Sequence, residues 1–208
     1  MTNSKAYSLI LVSVVASFLG FWVENFFISF SHGFIDNRNM VLPFLFGYGL
    51  SILAYYFLFG TPNSPLFFGK PIALKGVAAT VYSFVVAFLG VSIGEIIVGH
   101  LTEWACGIVW WNYSAIPLHI TRYTSVPTSL AFASLITVYM KFFFDPLTNL
   151  FSKMHPRALS FLAITTALVL TLDMVNSGIY MFKYNEIQQI WKYEFEKPLK
   201  SIILRSSP

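Results

Sequence analysis

Five apolar stretches dominate the sequence, and each is long enough to cross a lipid bilayer as a helix. A hydrocarbon core of roughly 30 Å takes about 20 helical residues. The stretches cover residues 7–30, 40–59, 74–98, 125–144 and 158–182. Only 11% of the residues are charged, whereas a soluble domain usually carries roughly 25%. We therefore predict an all-α, polytopic membrane protein with a bundle of about five transmembrane helices.

The chain divides at the end of the fifth stretch into a bundle, residues 1–183, and a tail, residues 184–208. In the tail, apolar residues recur at helical spacing with polar residues between them, namely Ile187, Ile190, Trp191 and Phe195. This pattern predicts a C-terminal amphipathic interfacial helix that lies on the membrane and ends before Pro198. A helix packed against a partner protein would show the same pattern.

Basic residues in the loops predict the orientation of the chain. The loops on one side of the five predicted spans hold Lys5, Lys70, Lys75, Lys141, Lys153 and Arg157, and the opposite short loops hold Arg38 and Arg122. The positive-inside rule then predicts a cytoplasmic N-terminus. Five spans leave the basic tail outside, against the same rule, unless residues 99–123 contain a re-entrant segment or another crossing.

Composition limits the partners and cofactors that the chain can use. The net charge is +4, but the basic residues are scattered and form no run that would bind nucleic acid. Membrane lipids are therefore the expected partners. Cys106 is the only cysteine, which excludes an internal disulfide and Cys-rich zinc sites. His100 and Glu103 have a metal-ligand spacing without a second matching pair, so no metal and no cofactor is predicted.

Acidic residues within or beside the apolar stretches are the strongest indication of function, because charge near a bilayer core is costly. They are Glu24, Glu95, Glu103 and Asp173. If one helix continues from the third stretch to residue 108, Glu95, His100 and Glu103 lie within one half of its surface. Such a face suits proton relay, cation binding or acid–base chemistry. The alternative is an interfacial segment that shows water a polar face.

A second intramembrane polar cluster is expected in the fifth stretch. Asp173, Asn176 and Ser177 share one helix face at i, i+3 and i+4. Polar side chains in this arrangement commonly form hydrogen bonds between membrane helices.

Four short motifs occur in a characteristic order along the chain. They are Gly20-Phe21-Trp22-Val23-Glu24, Asn37-Arg38, the segment from Pro43 to Gly49, and Thr102-Glu103 followed by Trp111-Asn112-Tyr113-Ser114. In this order, over about residues 8–145, the chain resembles the bacterial family described as putative ABC-transporter type IV proteins. Asn112 stands where that family has an acidic residue. The resemblance implies a polytopic membrane subunit of a transporter in the bacterial cytoplasmic (inner) membrane.

The leading hypothesis is a transporter-type, permease-like membrane component with a polar intramembrane cavity. Its candidate residues are Glu24, Asn37, Arg38, Glu95, His100, Glu103, Trp111, Asn112 and Tyr113. Arg38 would offset one of the buried carboxylates. Because the sequence contains no Gly-x4-Gly-Lys-Ser/Thr loop, a separate ATPase or another membrane subunit would supply the energy.

Two other classes of function remain open from the sequence. One is a membrane-embedded enzyme that acts on a lipid or isoprenoid, with Glu103 and His100 as acid and base. The other is a structural or regulatory membrane subunit whose polar residues hold helices together. The absence of a nucleotide-binding or hydrolase motif in the sequence disfavours the enzyme.

Overall fold

Four long apolar helices and one short helix make up most of the protein. The computed structural model describes residues 3–195. In this range the helices are α1 (Asn3–His32), α2 (Phe46–Phe59), α3 (Gly76–Cys106), α4 (Val126–Ser152) and α5 (Pro156–Tyr184). All except α2 have 27 to 31 residues and are apolar enough to cross a membrane. The chain is therefore a multi-pass membrane protein, as the apolar stretches predicted.

The second predicted span is helical only in part, so the expectation of about five full transmembrane helices is corrected to four and a short one. With 14 residues, α2 is about 21 Å long, which is less than the roughly 30 Å hydrocarbon core. Residues 37–45, here called the return segment, precede it and are not helical. The Leu45 N–H donates to the Ser17 carbonyl at 2.9 Å, so α2 starts beside the middle of α1.

The return segment stays non-helical because other parts of the chain satisfy its backbone. Pro43 lacks an N–H and disfavours helix for the residue before it. The N–H groups of Val41 and Leu42 donate to the Asp173 carboxylate at 2.9 and 3.0 Å. Non-helical backbone at membrane depth is tolerated where it is buried in protein with its polar groups paired. The return segment and α2 together carry the chain back towards the start of α1.

Local sequence signals set the ends of the long helices. Gly107 ends α3 in the left-handed conformation, with φ of 69° and its N–H bonded to the Glu103 carbonyl. Ser125 caps α4 by accepting a hydrogen bond from the Thr128 N–H. Asn185 ends α5 in the left-handed region, with φ of 53°. These signals fix the residues at which the long helices begin or end.

Short antiparallel strands pair the connections at the two ends of the bundle. β1 (Phe34–Asp36) pairs with β7 (Lys192–Glu194). β2 (Gly60–Thr61), β3 (Ser64–Phe67) and β4 (Lys70–Pro71) form a small meander, and β5 (His119–Thr121) pairs with β6 (Thr124–Ser125). The β1–β7 pair holds the tail beside the end of α1.

The predicted amphipathic helix in the tail is wrong for residues 185–195. The chain leaves α5 at Tyr184, runs without regular structure to Trp191 and then forms β7. An extended conformation lets the backbone pair with β1 and with the return segment, where the Asn37 N–H donates to the Trp191 carbonyl at 3.3 Å. The rest of the predicted helix, including Pro198, lies outside the described residues.

One end of the bundle is basic. At the basic end are the starts of α1, α3 and α5 and the ends of α2 and α4, joined by contacts such as Lys141 to Thr80 at 3.1 Å and Asn63 to Asp145 at 3.1 Å. Six basic residues lie here, namely Lys5, Lys70, Lys75, Lys141, Lys153 and Arg157. Among residues 3–195, Asp145 is the single acidic residue at this end. The tail lies at the opposite end, because β7 pairs with β1 there.

The core forms around α1, the most buried of the long helices. Leu9 and Val12 of α1 pack with Phe144 of α4, and all three are at most 2% exposed. The Tyr139 hydroxyl donates to the Val12 carbonyl at 2.7 Å. Helix α1 therefore positions both α4 and the return segment.

Candidate functional site

An ion pair between Glu24 and Arg38 lies near the C-terminal end of α1. The Arg38 Nη2 is 3.8 Å from Glu24 Oε2, and Nη1 is 3.4 Å from Asp36 Oδ1. The other oxygen of Glu24, Oε1, accepts a hydrogen bond from the Tyr48 hydroxyl at 2.6 Å. The Arg38 and Glu24 side chains are only 16% and 22% exposed. Arg38 therefore offsets a largely buried carboxylate, which is the pairing expected for it.

A tight turn after β1 directs Arg38 towards α1. The Asp36 Oδ1 accepts the Arg38 N–H at 2.8 Å, and Asn25 Oδ1 accepts the Asp36 N–H at 2.8 Å. Arg38 and Asn39 both adopt left-handed backbone, with φ of 48° and 66°. This conformation costs about 1 kcal/mol for a residue other than glycine. The two hydrogen bonds from backbone N–H groups to the Asp36 and Asn25 side chains offset that cost.

Glu95 brings a second carboxylate, from α3, to the same region. Its Oε2 accepts a hydrogen bond from the Thr124 hydroxyl at 2.7 Å. Two serines extend this chain of hydroxyl groups. The Ser129 hydroxyl lies 3.1 Å from that of Thr124, and the Ser92 hydroxyl lies 3.0 Å from that of Ser129. Among the ion pairs of residues 3–195, none involves Glu95.

Tyr113 connects the two carboxylates. It lies in the connection between α3 and α4, and burial raises the pKa of its phenol, as do the negative charges of Glu24 and Glu95, while Arg38 partly offsets them. The phenol is therefore close to both carboxylates and stays neutral. We call Glu24, Arg38, Tyr48, Glu95, Tyr113 and Thr124 the central polar cluster.

The other predicted residues of α3 belong to a separate group around Tyr123. Glu103 accepts two hydrogen bonds from the Arg122 Nη2, at 2.8 and 2.9 Å, and one from the Tyr123 hydroxyl at 2.5 Å. The His100 ring meets the Tyr123 ring edge-on at 5.0 Å. Trp111 Nε1 donates to the Tyr123 carbonyl at 2.8 Å. These contacts tie the α3–α4 connection to α3.

Close packing explains why Tyr123 can occupy this position. Its side chain is fully buried, and the ring lies directly on Gly99, where a Cβ would overlap it. Asn112 is exposed, and its Oδ1 accepts the Ser114 N–H at 2.9 Å in a local turn. The predicted single polar face of α3 therefore divides, with Glu95 in the central polar cluster and His100 and Glu103 beside Tyr123.

The second predicted cluster, in α5, bonds to the return segment and the tail rather than to other helices. Asp173 accepts the two return-segment N–H groups, and the Ser177 hydroxyl donates to the Asn39 carbonyl at 2.5 Å. Asn176 Nδ2 donates to Gln188 Oε1 at 3.3 Å. The interhelical bonds expected from the sequence are thus replaced by bonds to non-helical segments, namely the return segment and the tail.

Asn37, from the resemblance motif, holds the tail in place. Its Oδ1 accepts the Ile190 N–H at 3.0 Å, and its Nδ2 donates to the carbonyls of Gln188 and Met40 at 3.0 and 2.9 Å. The side chain is 2% exposed. Asn37 is therefore fully engaged in joining two segments, and none of these bonds involves Glu24.

Several members of the two groups escaped the sequence reasoning. Tyr48 stands within the resemblance motif from Pro43 to Gly49, which is the only signal for it. Thr124, Arg122 and Tyr123 lie in a connection without periodicity, so nothing in the sequence singled them out. Their contacts depend on how that connection folds back on α3.

Cavities lie elsewhere in the bundle. One of about 280 Å³ opens between the first turns of α1 and α5, and one of about 140 Å³ lies between α1, α2 and α5. Neither is lined by the central polar cluster. In the part of the chain from residue 3 to residue 195, no group of three or more His, Cys, Asp or Glu side chains could hold a metal ion.

The helices and the polar residues among them define the class as a multi-pass helical membrane protein with carboxylates inside its bundle. Residues 11–178 match the family described as putative ABC-transporter type IV, and the chain belongs to that family. The match includes most of α5 and so extends beyond the 8–145 expected. Comparisons with curated proteins and with solved structures gave no match.

Proposed function

We propose that the chain is the membrane-spanning, permease-like component of a transporter, and that a substrate or coupling ion contacts the central polar cluster. One observation carries the proposal. Carboxylates from two helices, Glu24 of α1 and Glu95 of α3, both lie close to the Tyr113 phenol inside the bundle. Ionisable groups at such depth are costly to bury and commonly mark substrate or ion pathways.

The charge balance of the cluster supports this role. Glu24 and Asp36 share Arg38, whereas Glu95 meets only the neutral hydroxyl groups of Thr124 and Tyr113 among the contacts of the described residues. A half-buried carboxylate without a cationic partner either binds a proton or attracts a cation. Both outcomes suit a component that handles a charged substrate or a coupling ion.

The Tyr123 group has a different role in this proposal. Three donated hydrogen bonds engage the Glu103 carboxylate, so Glu103 positions the α3–α4 connection and, with it, Tyr113. The same contacts argue against Glu103 and His100 as the acid and base of a lipid-modifying enzyme. The basic end would face the cytoplasm of a bacterium, and a separate ATPase chain would bind there.

The experiment begins with gentle purification of the tagged chain from the membranes of its own host, followed by native mass spectrometry. We expect a co-purifying ATPase chain. The complex is then reconstituted in liposomes, and ATP hydrolysis is measured for the native chain and for Glu95→Gln, with Asn112→Ala as the matched control. We expect Glu95→Gln to retain the ATPase chain but to lose at least about tenfold in coupled hydrolysis, which corresponds to about 1.4 kcal/mol.

Two results would contradict the proposal. One is that no ATPase chain is recovered even after chemical cross-linking in the native membrane. The other is that Glu95→Gln and Glu24→Gln both hydrolyse ATP as fast as the native complex. Recovery of a tightly bound lipid alone, without a partner, would favour a lipid-handling role instead.

A further inference from the structure

The larger cavity, of about 280 Å³, lies at the basic end between the first turns of α1 and α5. Asn3, Ser4 and Tyr7 line it from α1, and Arg157 lines it from α5. Its volume is just below the range of about 300–1,000 Å³ that is usual for small-molecule sites. It is therefore large enough for a compact polar group.

The lining combines one cation, several neutral donors and an apolar floor. Arg157 takes part in none of the ion pairs found among residues 3–195. Asn3, Ser4 and Tyr7 carry amide and hydroxyl donors. Leu159, which is fully buried, forms the floor and packs against Leu11. A ligand with an anionic head and an apolar continuation matches this arrangement.

The position of the cavity points to a membrane lipid as the ligand. Both α1 and α5 are long apolar helices that begin here, so the cavity lies at the level of the lipid headgroups. The basic end carries six Lys and Arg residues against one described acidic residue, Asp145. Basic pockets between transmembrane helices on the positively charged side of a membrane protein bind anionic headgroups.

We propose that this cavity binds the phosphate of an anionic phospholipid, with Arg157 as the charged contact and the acyl chains lying on the apolar surface beside Leu159. The lipid would join the start of α1 to the start of α5. This site is separate from the central polar cluster and does not depend on the proposed transport function.

Native mass spectrometry of the delipidated, detergent-solubilised full chain tests the proposal. Phosphatidylglycerol and phosphatidylcholine with identical acyl chains are added in turn, and the bound fraction is measured for the native chain and for Arg157→Gln. We expect one phosphatidylglycerol to bind more tightly than phosphatidylcholine, and Arg157→Gln to bind it about fivefold more weakly. The matched control is Lys153→Gln, which removes an exposed charge at the same end but not from the cavity lining.

Three results would overturn the site. Equal binding of the two lipids by the native chain would remove the role of the anionic headgroup. Equal losses in Arg157→Gln and Lys153→Gln would indicate general surface charge rather than this cavity. If inorganic phosphate raises the melting temperature of the native chain as much as phosphatidylglycerol does, the ligand is a free anion.

Because Arg157 is exposed, the Arg157→Gln chain should melt within about 2 °C of the native chain.

Discussion

Replacing Asp173 by alanine tests whether one side chain supports the return segment. Asp173 is 8% exposed, and its two oxygens accept the N–H groups of Val41 and Leu42 at 2.9 and 3.0 Å. A hydrogen bond to a charged group contributes about 1.5–3 kcal/mol. Alanine removes both acceptors and leaves two backbone donors unpaired in an apolar setting. We therefore expect a loss of about 3–5 kcal/mol in the free energy of unfolding.

The loss is measured as a shift in thermal unfolding of the detergent-solubilised chain, followed by tryptophan fluorescence. About 2–4 °C per kcal/mol applies to chains of this size, so the midpoint should fall by about 10 °C. Trp191 contacts Phe21 beside the return segment, so its emission should shift to longer wavelength before the main transition. That early local change would separate release of the return segment from general destabilisation.

The matched control is Asn176→Ala, on the same helix face. Asn176 makes one long, exposed hydrogen bond of 3.3 Å to the Gln188 side chain, and its loss should cost less than about 0.5 kcal/mol. If Asp173→Ala falls within 1 °C of Asn176→Ala, the reasoning fails, because water or another group must then satisfy the two donors.

Three further changes have defined outcomes. Gly99→Ala should lower the melting temperature by about 5 °C or more, because the added Cβ would overlap the Tyr123 ring. The control Gly94→Ala has open space around it and should be neutral or slightly stabilising. Equal effects of the two substitutions would contradict the packing argument. Asn37→Ala should make the tail several-fold more sensitive to limited proteolysis, since two hydrogen bonds that hold it, to Gln188 and Ile190, are lost. An unchanged cleavage rate would show that β1–β7 pairing suffices. The raised pKa of Tyr113 means that its neutral phenol is favoured in the folded chain, so the free energy of unfolding is constant below about pH 10 and falls above it. Tyr113→Phe should reduce this fall, measured by chemical unfolding between pH 9 and pH 11. The same fall in the native chain and in Tyr113→Phe would refute this prediction.

The long helices were predictable because lipid leaves the backbone few choices. A run of about 20 apolar residues must satisfy its own N–H and C=O groups, and a helix does so locally. The return segment escaped prediction because its acceptors are on Asp173, more than 130 positions away. The tail escaped for the same reason, since β7 pairs with β1 across a similar separation.

The candidate site was predictable only where partners are close in sequence or carry charge. Glu24 and Arg38 are separated by 14 positions and have opposite charge. Their pairing could be expected because burying either charge without a partner is costly. The division of Glu95 from Glu103 depends on Tyr123, which fills the space beside Gly99. Hydroxyl donors such as Tyr48 and Thr124 are common in apolar segments, and only the folded chain shows which of them meet carboxylates.

Synthesis from the N-terminus imposes an order on this architecture. The return segment emerges early, yet the groups that accept or donate its hydrogen bonds, on Asp173, Ser177 and the tail up to Trp191, emerge last. Until α5 is inserted, the N–H groups of Val41 and Leu42 and the carbonyl of Asn39 lack the partners that they have in the folded chain and must remain near water. The first half of the chain is thus completed by its final helix, and a ribosome that stops before Asp173 leaves a bundle that cannot close.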